Sequence, residues 1–108
     1  MQIVFISGGM TGYTDWNHPA FDKKAFELRN QGYTVFNPAS LPLGLEYQKY
    51  MEICLPMIEA CDIVYFLYGW QYSKGARMEF DKAIECGKQL MFEEPIDHTQ
   101  FIRTQGDV

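Results

Sequence analysis

The sequence is short of basic side chains, of paired cysteines and of long apolar runs. Nine Lys and Arg stand against 14 Asp and Glu in 108 residues, for a net charge of -5, whereas a protein that binds nucleic-acid polymers shows a basic face. The three cysteines include no CxxC pair and lie far from the two histidines, which argues against zinc and favours a reduced, cytoplasmic location. The apolar run at residues 3–6 is too short for a membrane span or a signal peptide.

The hydrophobic content that is present, 47% of the residues, suffices for one domain with one core. Apolar runs alternate with segments of helical periodicity, a pattern that predicts parallel strands joined by right-handed crossovers. We therefore expect an α/β fold: a single-domain, open parallel sheet, flavodoxin- or Rossmann-like, with helices on both faces and strand order 2-1-3-4. The predicted domain spans residues 1–92, and residues 93–108 form a tail that is either flexible or part of an interface. The predicted strands are residues 3–6, 33–36, 62–67 and 88–92.

Local signals also predict features of the first two helices. Asn17 or His18 is placed to cap the first helix, ahead of a proline in its first turn. The second helix, residues 46–60, contains Pro56, which removes one hydrogen bond and predicts a kink or a break near Glu52. Cys54 recurs with apolar residues at helical spacing in that helix, so its side chain is expected to point inward.

A loop with three glycines, from Ser7 to Tyr13, follows the first strand. Glycines let a backbone approach a ligand closely and turn its amides toward it, as in phosphate- and sugar-binding loops. The spacing is not GxGxxG, so it does not indicate a dinucleotide fingerprint. A tight turn without a ligand fits the same residues equally well.

In an open parallel sheet, ligands bind beyond the carboxyl ends of the strands. The glycine loop, the loop after the third strand and the start of the third helix share that edge with Asn37, which either contacts a ligand or, as we favour, stabilises its turn. Asp62 begins a strand and is expected at the opposite edge, as a structural cap. Four aromatic residues fall in or beside the loops at the ligand edge, where each would either stack on a nucleobase or cover the core: Tyr13, Trp16, Trp70 and Tyr72.

The third helix carries an acid on its inward stripe. Helical spacing puts Glu79 in line with Ala76, Phe80 and Ala83. Burial raises the pKa of such a carboxyl group, so it is either held in a hydrogen-bond network or kept for chemistry. At the start of the helix, the Ser73 hydroxyl and the amides near Gly75 suit an oxyanion or a sugar hydroxyl, or a simple N-cap.

Three segments together resemble the nucleoside 2-deoxyribosyltransferase superfamily, over about the first 92 residues. They are Phe-Ile-Ser-Gly-Gly-Met-Thr-Gly at residues 5–12, Cys-Asp-Ile-Val at residues 61–64, and Ser73-x-Gly75-x-x-x-Glu79 followed by Ala83 and Gly87-Lys88. Within the superfamily the chain is most similar to small, mostly uncharacterised phage and prophage proteins. The resemblance implies a doubly wound fold, often dimeric or larger, that acts on the N-glycosidic bond of deoxynucleosides or their monophosphates.

The resemblance also implies roles for individual residues. Glu79 matches the nucleophile that attacks the anomeric carbon, and Ser73 with the loop from Gly8 to Gly12 matches the groups that hold the sugar or the 5′-phosphate. Two positions depart from the pattern. Cys54 stands where characterised members have an aspartate that positions the sugar or assists the departing base, and Thr11 stands where a nucleotide hydrolase has a basic residue.

The sequence therefore leads to a main hypothesis and two alternatives. The main one is a nucleoside or nucleotide hydrolase or deoxyribosyltransferase with Glu79 as its nucleophile; the others are a binding module without catalysis and a structural interaction protein. We expect a homo-oligomer with a nucleoside or nucleotide as its small-molecule partner, and neither a metal nor another cofactor, a nucleic-acid polymer or a membrane. The predicted ligand-binding residues are Ser7, Gly8, Gly9, Met10, Thr11, Gly12, Asn37, Trp70, Ser73 and Gly75.

Overall fold

Strands and helices alternate along the chain in the computed structural model, which describes residues 2–94. Short single turns of 3-10 type lie at Thr14–Asn17, Pro38–Ser40 and Trp70–Tyr72. Most of the predicted tail, residues 95–108, lies outside the described residues. The main elements are β1 (Ile3–Ser7), α1 (His18–Asn30), β2 (Thr34–Phe36), α2 (Tyr47–Ala60), β3 (Ile63–Phe66), α3 (Lys74–Glu85) and β4 (Gln89–Phe92).

The strands form one parallel sheet in the order β2-β1-β3-β4, which confirms the predicted topology. The central strand β3 is buried along its whole length, and β1 is buried from Val4 onward. Such strands are covered on both faces, which explains their continuous apolar sequences. In the register of β1 with β3, Ser7 pairs with Phe66, so both strands end at the same edge.

Helices cover both faces of the sheet, and the sheet separates two cores. On one face α1 packs through Phe21, Ala25 and Leu28 against the side chains of Val4 and Ile6. On the other face α2 and α3 pack against the side chains of Phe5, Val64 and Phe66. Because alternate side chains of a strand point to opposite faces, Ser7 shares the orientation of Phe5 and faces the layer formed by α2 and α3.

The start of α1 differs from the prediction. Asn17 occupies the N-cap position, but neither it nor His18 caps the helix through its side chain. The Asn17 side chain instead donates from Nδ2 to the Gly9 carbonyl oxygen at 2.9 Å. Asp15, Trp16 and Asn17 all have φ between 52° and 62°, a left-handed conformation that is costly for residues with a side chain. The capping prediction is wrong because the amide of Asn17 fastens this turn to the glycine loop.

Helix α2 runs from Tyr47 to Ala60 without interruption, so the predicted break near Glu52 does not occur. Pro56 lies inside the helix and is exposed. Buried residues on both sides of it, Cys54 and Ile58, belong to the same core. Their packing holds the two halves of the helix together.

Asp62 lies at the edge of the sheet away from the carboxyl ends, as predicted. Its Oδ2 accepts a hydrogen bond from the backbone amide of Ile3 at 2.8 Å. The backbone amide of Asp62 donates to the Ile3 carbonyl oxygen at 2.9 Å. Asp62 therefore ties the start of β1 to the start of β3.

No helix within residues 2–94 is long and apolar enough to cross a membrane.

Candidate active site

A cavity of about 600 Å³ lies at the carboxyl edge of the sheet, within the range of roughly 300–1,000 Å³ that is common for small-molecule sites. Its walls come from the glycine loop, from the connection between β2 and α2, and from the first turns of α2 and α3. Glu79 contributes to its lining. The cavity therefore lies where the sequence placed the ligand edge.

Glu79 is the buried acid of this cavity, with 3% of its surface exposed. It lies with Ala76, Phe80 and Ala83 on the buried side of α3, which confirms the predicted stripe. The hydroxyl group of Ser7 donates a hydrogen bond to its Oε1 at 2.6 Å. The partners are 72 positions apart and meet because Ser7 ends β1 on the face that α3 covers.

The environment of Glu79 favours its protonated form. Burial raises the pKa of the carboxyl group from its usual 4.5 to about 8, and the Ser7 hydrogen bond offsets part of that rise. No cationic side chain within residues 2–94 contributes to this pKa. The group is therefore mostly neutral at pH 7, and its pKa is in the range in which catalytic carboxyl groups work.

Cys54 faces inward as predicted and is completely buried. Burial raises the pKa of its thiol to about 12, and the charge of Glu79 adds to the rise. A hydrogen bond with Tyr50, one helical turn earlier on α2, opposes the shift. Cys54 is thus a neutral thiol at physiological pH and does not replace the charge of an aspartate.

Tyr50 lies between Cys54 and the glycine loop and lines the cavity. Its hydroxyl group donates to Met10 Sδ at 3.3 Å. Burial raises the pKa of this phenol above its usual value, with further increases from Cys54 and Glu79. The hydroxyl group of Tyr50 is therefore protonated throughout the physiological range.

The start of α3 combines a cap with open space. Ser73 Oγ accepts a hydrogen bond from the Ala76 amide at 3.1 Å, so the N-cap interpretation is confirmed. A methyl group on Gly75 would lie 3.6 Å from Met51 Sδ and from Tyr47 Cε1, an ordinary contact distance. Alanine would therefore fit there, and the glycine keeps that part of the cavity free.

The glycines of the loop are explained in part by contacts within the chain. A Cβ atom on Gly8 would approach the Leu67 side chain to 3.0 Å, and one on Gly9 would approach Tyr13 Cε1 to 2.8 Å. Gly12 has a φ of +86°, a conformation that favours glycine. Gly8, Gly9, Met10 and Thr11 line the cavity, whereas Gly12 does not.

Four of the predicted ligand-binding residues lie outside the cavity lining: Ser7, Gly12, Asn37 and Trp70. Asn37 accepts from the Ala39 amide at 3.0 Å and donates to Asp22 Oδ1 at 2.9 Å, so its side chain stabilises the turn after β2. Trp70 is 9% exposed and packs against Phe66 and Phe80 with ring centroids 4.8 and 5.0 Å apart. Trp70 thus covers the core.

The cavity mouth carries exposed aromatic side chains. Tyr13, Trp16 and Tyr72 line the cavity, as the sequence suggested for aromatic residues at this edge, and all three are exposed. A smaller cavity of about 310 Å³ adjoins it and shares Trp16, His18 and Leu43 with it. Flat apolar rings at the mouth suit a nucleobase.

The sequence missed the contribution of α2 and the preceding connection. Tyr47, Tyr50 and Met51 line the cavity together with residues 41–45. The signal was available, because a helix that follows β2 begins at the carboxyl edge. Within residues 2–94, no cluster of three or more His, Cys, Asp or Glu side chains is arranged to hold a metal ion.

Comparisons with known proteins agree with this architecture. The model of a family described as a domain of unknown function, DUF4406, matches residues 2–92. No curated protein shows significant sequence similarity to the chain.

Several solved structures share the fold. A 2-deoxyribosyltransferase of Leishmania mexicana is 18% identical, with a TM-score of 0.68 over 85% of this chain and 63% of its own. The 2-deoxyribosyltransferase of Bacillus psychrosaccharolyticus is 19% identical, with a TM-score of 0.68 over 90% of this chain and 78% of its own. The CMP N-glycosidase BcmB of Clostridium botulinum is 18% identical, with a TM-score of 0.63 over 99% of this chain and 82% of its own.

At such identities the likeness concerns the fold, whereas the family model covers most of the sequence. The chain therefore belongs to the DUF4406 family, and it shares its fold with the two 2-deoxyribosyltransferases and the CMP N-glycosidase.

Proposed function

We propose that this protein cleaves the N-glycosidic bond of a nucleoside or nucleotide, as a hydrolase or a deoxyribosyltransferase, with Glu79 as the nucleophile. The observation that carries the proposal is a buried carboxyl group in the lining of a 600 Å³ cavity, with a hydroxyl group as its hydrogen-bond partner. The activities of the structurally similar proteins, two 2-deoxyribosyltransferases and a CMP N-glycosidase, support the same class of reaction.

The reaction follows from the chemistry of a carboxylate beside an anomeric carbon. Glu79 first loses its proton, and one of its oxygens then attacks that carbon. The electron pair of the broken C–N bond leaves with the base, which takes up a proton. The product is a glycosyl ester of Glu79, which water or a second base resolves by attack on the same carbon.

Ser7 has a defined part in this scheme. Its hydroxyl group holds Oε1 of Glu79, which fixes the orientation of the carboxyl group and stabilises the carboxylate. Cys54 is completely buried and does not line the cavity, so it is not placed to protonate the departing base. We therefore expect the leaving base to receive its proton from another donor, such as water.

The test is to incubate the protein with a panel of deoxynucleosides and deoxynucleotides and to measure turnover by the release of the free base. We expect activity from the unmodified protein and a loss of more than about a thousandfold in Glu79→Ala. Glu85→Gln is a matched control, because Glu85 is an exposed acid on the same helix. Absence of turnover across the whole panel would contradict the proposal.

The alternative of binding without turnover is favoured by one observation, the neutral thiol of Cys54 where characterised relatives have an acid. It predicts that calorimetry detects binding of a nucleoside or nucleotide while no base is released. A panel that shows neither binding nor turnover would exclude both functions.

Assembly as a homo-oligomer is part of the same proposal and is supported by the resemblance to the superfamily. Light scattering on the full chain should give a mass of at least twice that of the monomer. A monomer that still turns over substrate would contradict this part of the proposal alone.

A further inference from the structure

We propose that the hydroxyl group of Tyr50 donates a hydrogen bond to the substrate, at an acceptor atom close to the carbon that Glu79 attacks. This inference rests on the proposed function and deepens it. It gives the site a donor where the sequence has Cys54 in place of an acid.

The position of Tyr50 is the first argument. Tyr50 lines the cavity together with the glycine loop and the start of α3. It is close enough to Glu79 for the carboxylate to act on it electrostatically. Cys54, one turn further along α2, is completely buried. A ligand in contact with Glu79 therefore meets Tyr50 on the side of α2.

The hydrogen bonds of Tyr50 are the second argument. Its described partners are two sulfur atoms, Met10 Sδ at 3.3 Å and the thiol of Cys54. Sulfur is a weak acceptor and a thiol is a weak donor, so neither contact satisfies the hydroxyl group fully. An oxygen or nitrogen atom of a ligand would be a stronger acceptor at the same place. Much of the bonding capacity of this hydroxyl group is thus left for a ligand.

Burial separates Tyr50 from the other tyrosines of the cavity. Of the four that line it, Tyr13, Tyr47 and Tyr72 are exposed, whereas Tyr50 is partly buried. A ligand that fills the cavity would remove the remaining water from Tyr50, and a hydroxyl group without water requires a partner.

The mode of action is donation without proton transfer. The phenol holds its proton throughout the working range, because burial and the neighbouring charge raise its pKa. The hydrogen bond would position the sugar or stabilise charge that develops on the departing base. Both roles need a donor that keeps its proton, as the Tyr50 hydroxyl group does.

The first experiment compares Tyr50→Phe with Tyr68→Phe, which also loses one hydroxyl group but is exposed and outside the cavity lining. We expect kcat/KM to fall about three- to tenfold in Tyr50→Phe, the range for one hydrogen bond between uncharged groups, and to stay unchanged in Tyr68→Phe. Thermal melting of both variants checks that each is folded. Equal kcat/KM values in the two folded variants would overturn the inference.

A second experiment distinguishes a hydrogen bond from Tyr50 to the substrate from a tether, in which Tyr50 only holds the glycine loop in place through its contact with Met10. Binding of a deoxynucleoside is measured by calorimetry in Glu79→Gln, with and without Tyr50→Phe. The same pair is then measured with analogues that lack the 3′-hydroxyl, the 5′-hydroxyl, the ring oxygen or the acceptor nitrogen of the base. A substrate contact predicts that the loss disappears for the analogue that lacks the contacted atom, which also distinguishes a sugar atom from a base atom. An equal loss for every analogue would show a tether and overturn the inference.

The outcomes also distinguish this inference from the proposed function. If the unmodified protein turns over substrate and Tyr50→Phe behaves like Tyr68→Phe, the proposed function stands and the inference fails. If the unmodified protein neither binds nor turns over any nucleoside or nucleotide, both fail together.

Discussion

The two edges of the sheet each hold a carboxyl group beside an end of β1, and the two groups have opposite surroundings. At the start of the strand, the exposed Asp62 accepts the Ile3 amide at 2.8 Å. At its end, the buried Glu79 accepts the Ser7 hydroxyl at 2.6 Å.

The comparison shows what each acid does for the protein. Asp62 stays in contact with water while it satisfies a backbone amide, so it stabilises the strand ends. Glu79 loses its hydration and gains only the hydrogen bond from the Ser7 hydroxyl group in return, so its charged form is costly. A costly buried acid in a cavity is typical of a group retained for chemistry.

The largest expected effect concerns stability against pH in Glu79→Gln. The folded-state pKa of about 8 exceeds the usual 4.5, so the unmodified protein loses stability as pH rises between these values, because its folded state holds a proton that the unfolded state has already released. Each pKa unit corresponds to about 1.4 kcal/mol. We expect urea unfolding to show that the free energy of unfolding of Glu79→Gln, relative to that of the unmodified protein, rises by a few kcal/mol between pH 5 and pH 8.5.

Asp62→Asn serves as the contrasting variant at the other edge. It weakens the acceptor for the Ile3 amide, and we expect it to lower the free energy of unfolding at pH 7 by about 1 kcal/mol. Parallel stability curves for Glu79→Gln and the unmodified protein would show that Glu79 is not held in its neutral form, and the contrast between the two acids would be lost.

The next effect concerns the pH dependence of turnover. With a nucleophile of pKa about 8 in the free protein, kcat/KM should rise with pH through about that value. The Ser7 hydroxyl lowers the pKa of Glu79, so Ser7→Ala should move the rise to higher pH. Ser40→Ala is the control, because the Ser40 hydroxyl bonds the Asn37 carbonyl oxygen outside the cavity lining. An unchanged profile in Ser7→Ala would contradict the assigned role of Ser7.

The smallest effect concerns Gly75→Ala. Alanine is the better helix former, and the substitution should raise stability by up to about 1 kcal/mol. Its methyl group would enter the cavity between Met51 and Tyr47, so binding of a nucleoside or nucleotide should weaken. Thermal melting and calorimetry measure the two changes. A variant that binds as well as the unmodified protein would show that the ligand does not approach the start of α3.

Much of this arrangement was predictable because it follows from patterns with one physical solution. The alternation of short apolar runs and helical segments leads to a parallel sheet, and the sheet defines the ligand edge. Glu79 was found through its spacing from Ala76, Phe80 and Ala83, which the structure confirms.

The remaining features depend on contacts between distant parts of the chain. The bond between Ser7 and Glu79 joins residues 72 positions apart. Predicting it requires knowing to which face of the sheet the last residue of β1 points. The side chain of Asn17 meets the Gly9 carbonyl oxygen instead of capping α1. Pro56 is tolerated because Cys54 and Ile58 hold both halves of α2 in one core. In each case tertiary packing outweighs the local signal.

The central claim is that the Glu79 carboxylate forms a bond with a sugar carbon. Its most direct test is mass spectrometry of the protein after incubation with mixed deoxynucleosides and deoxynucleotides, with peptide fragmentation to locate any adduct. We predict a deoxyribosyl or phosphodeoxyribosyl adduct on Glu79 that is absent in Glu79→Gln. Turnover with an adduct on another residue, or with no adduct under conditions that trap the intermediate, would contradict the account.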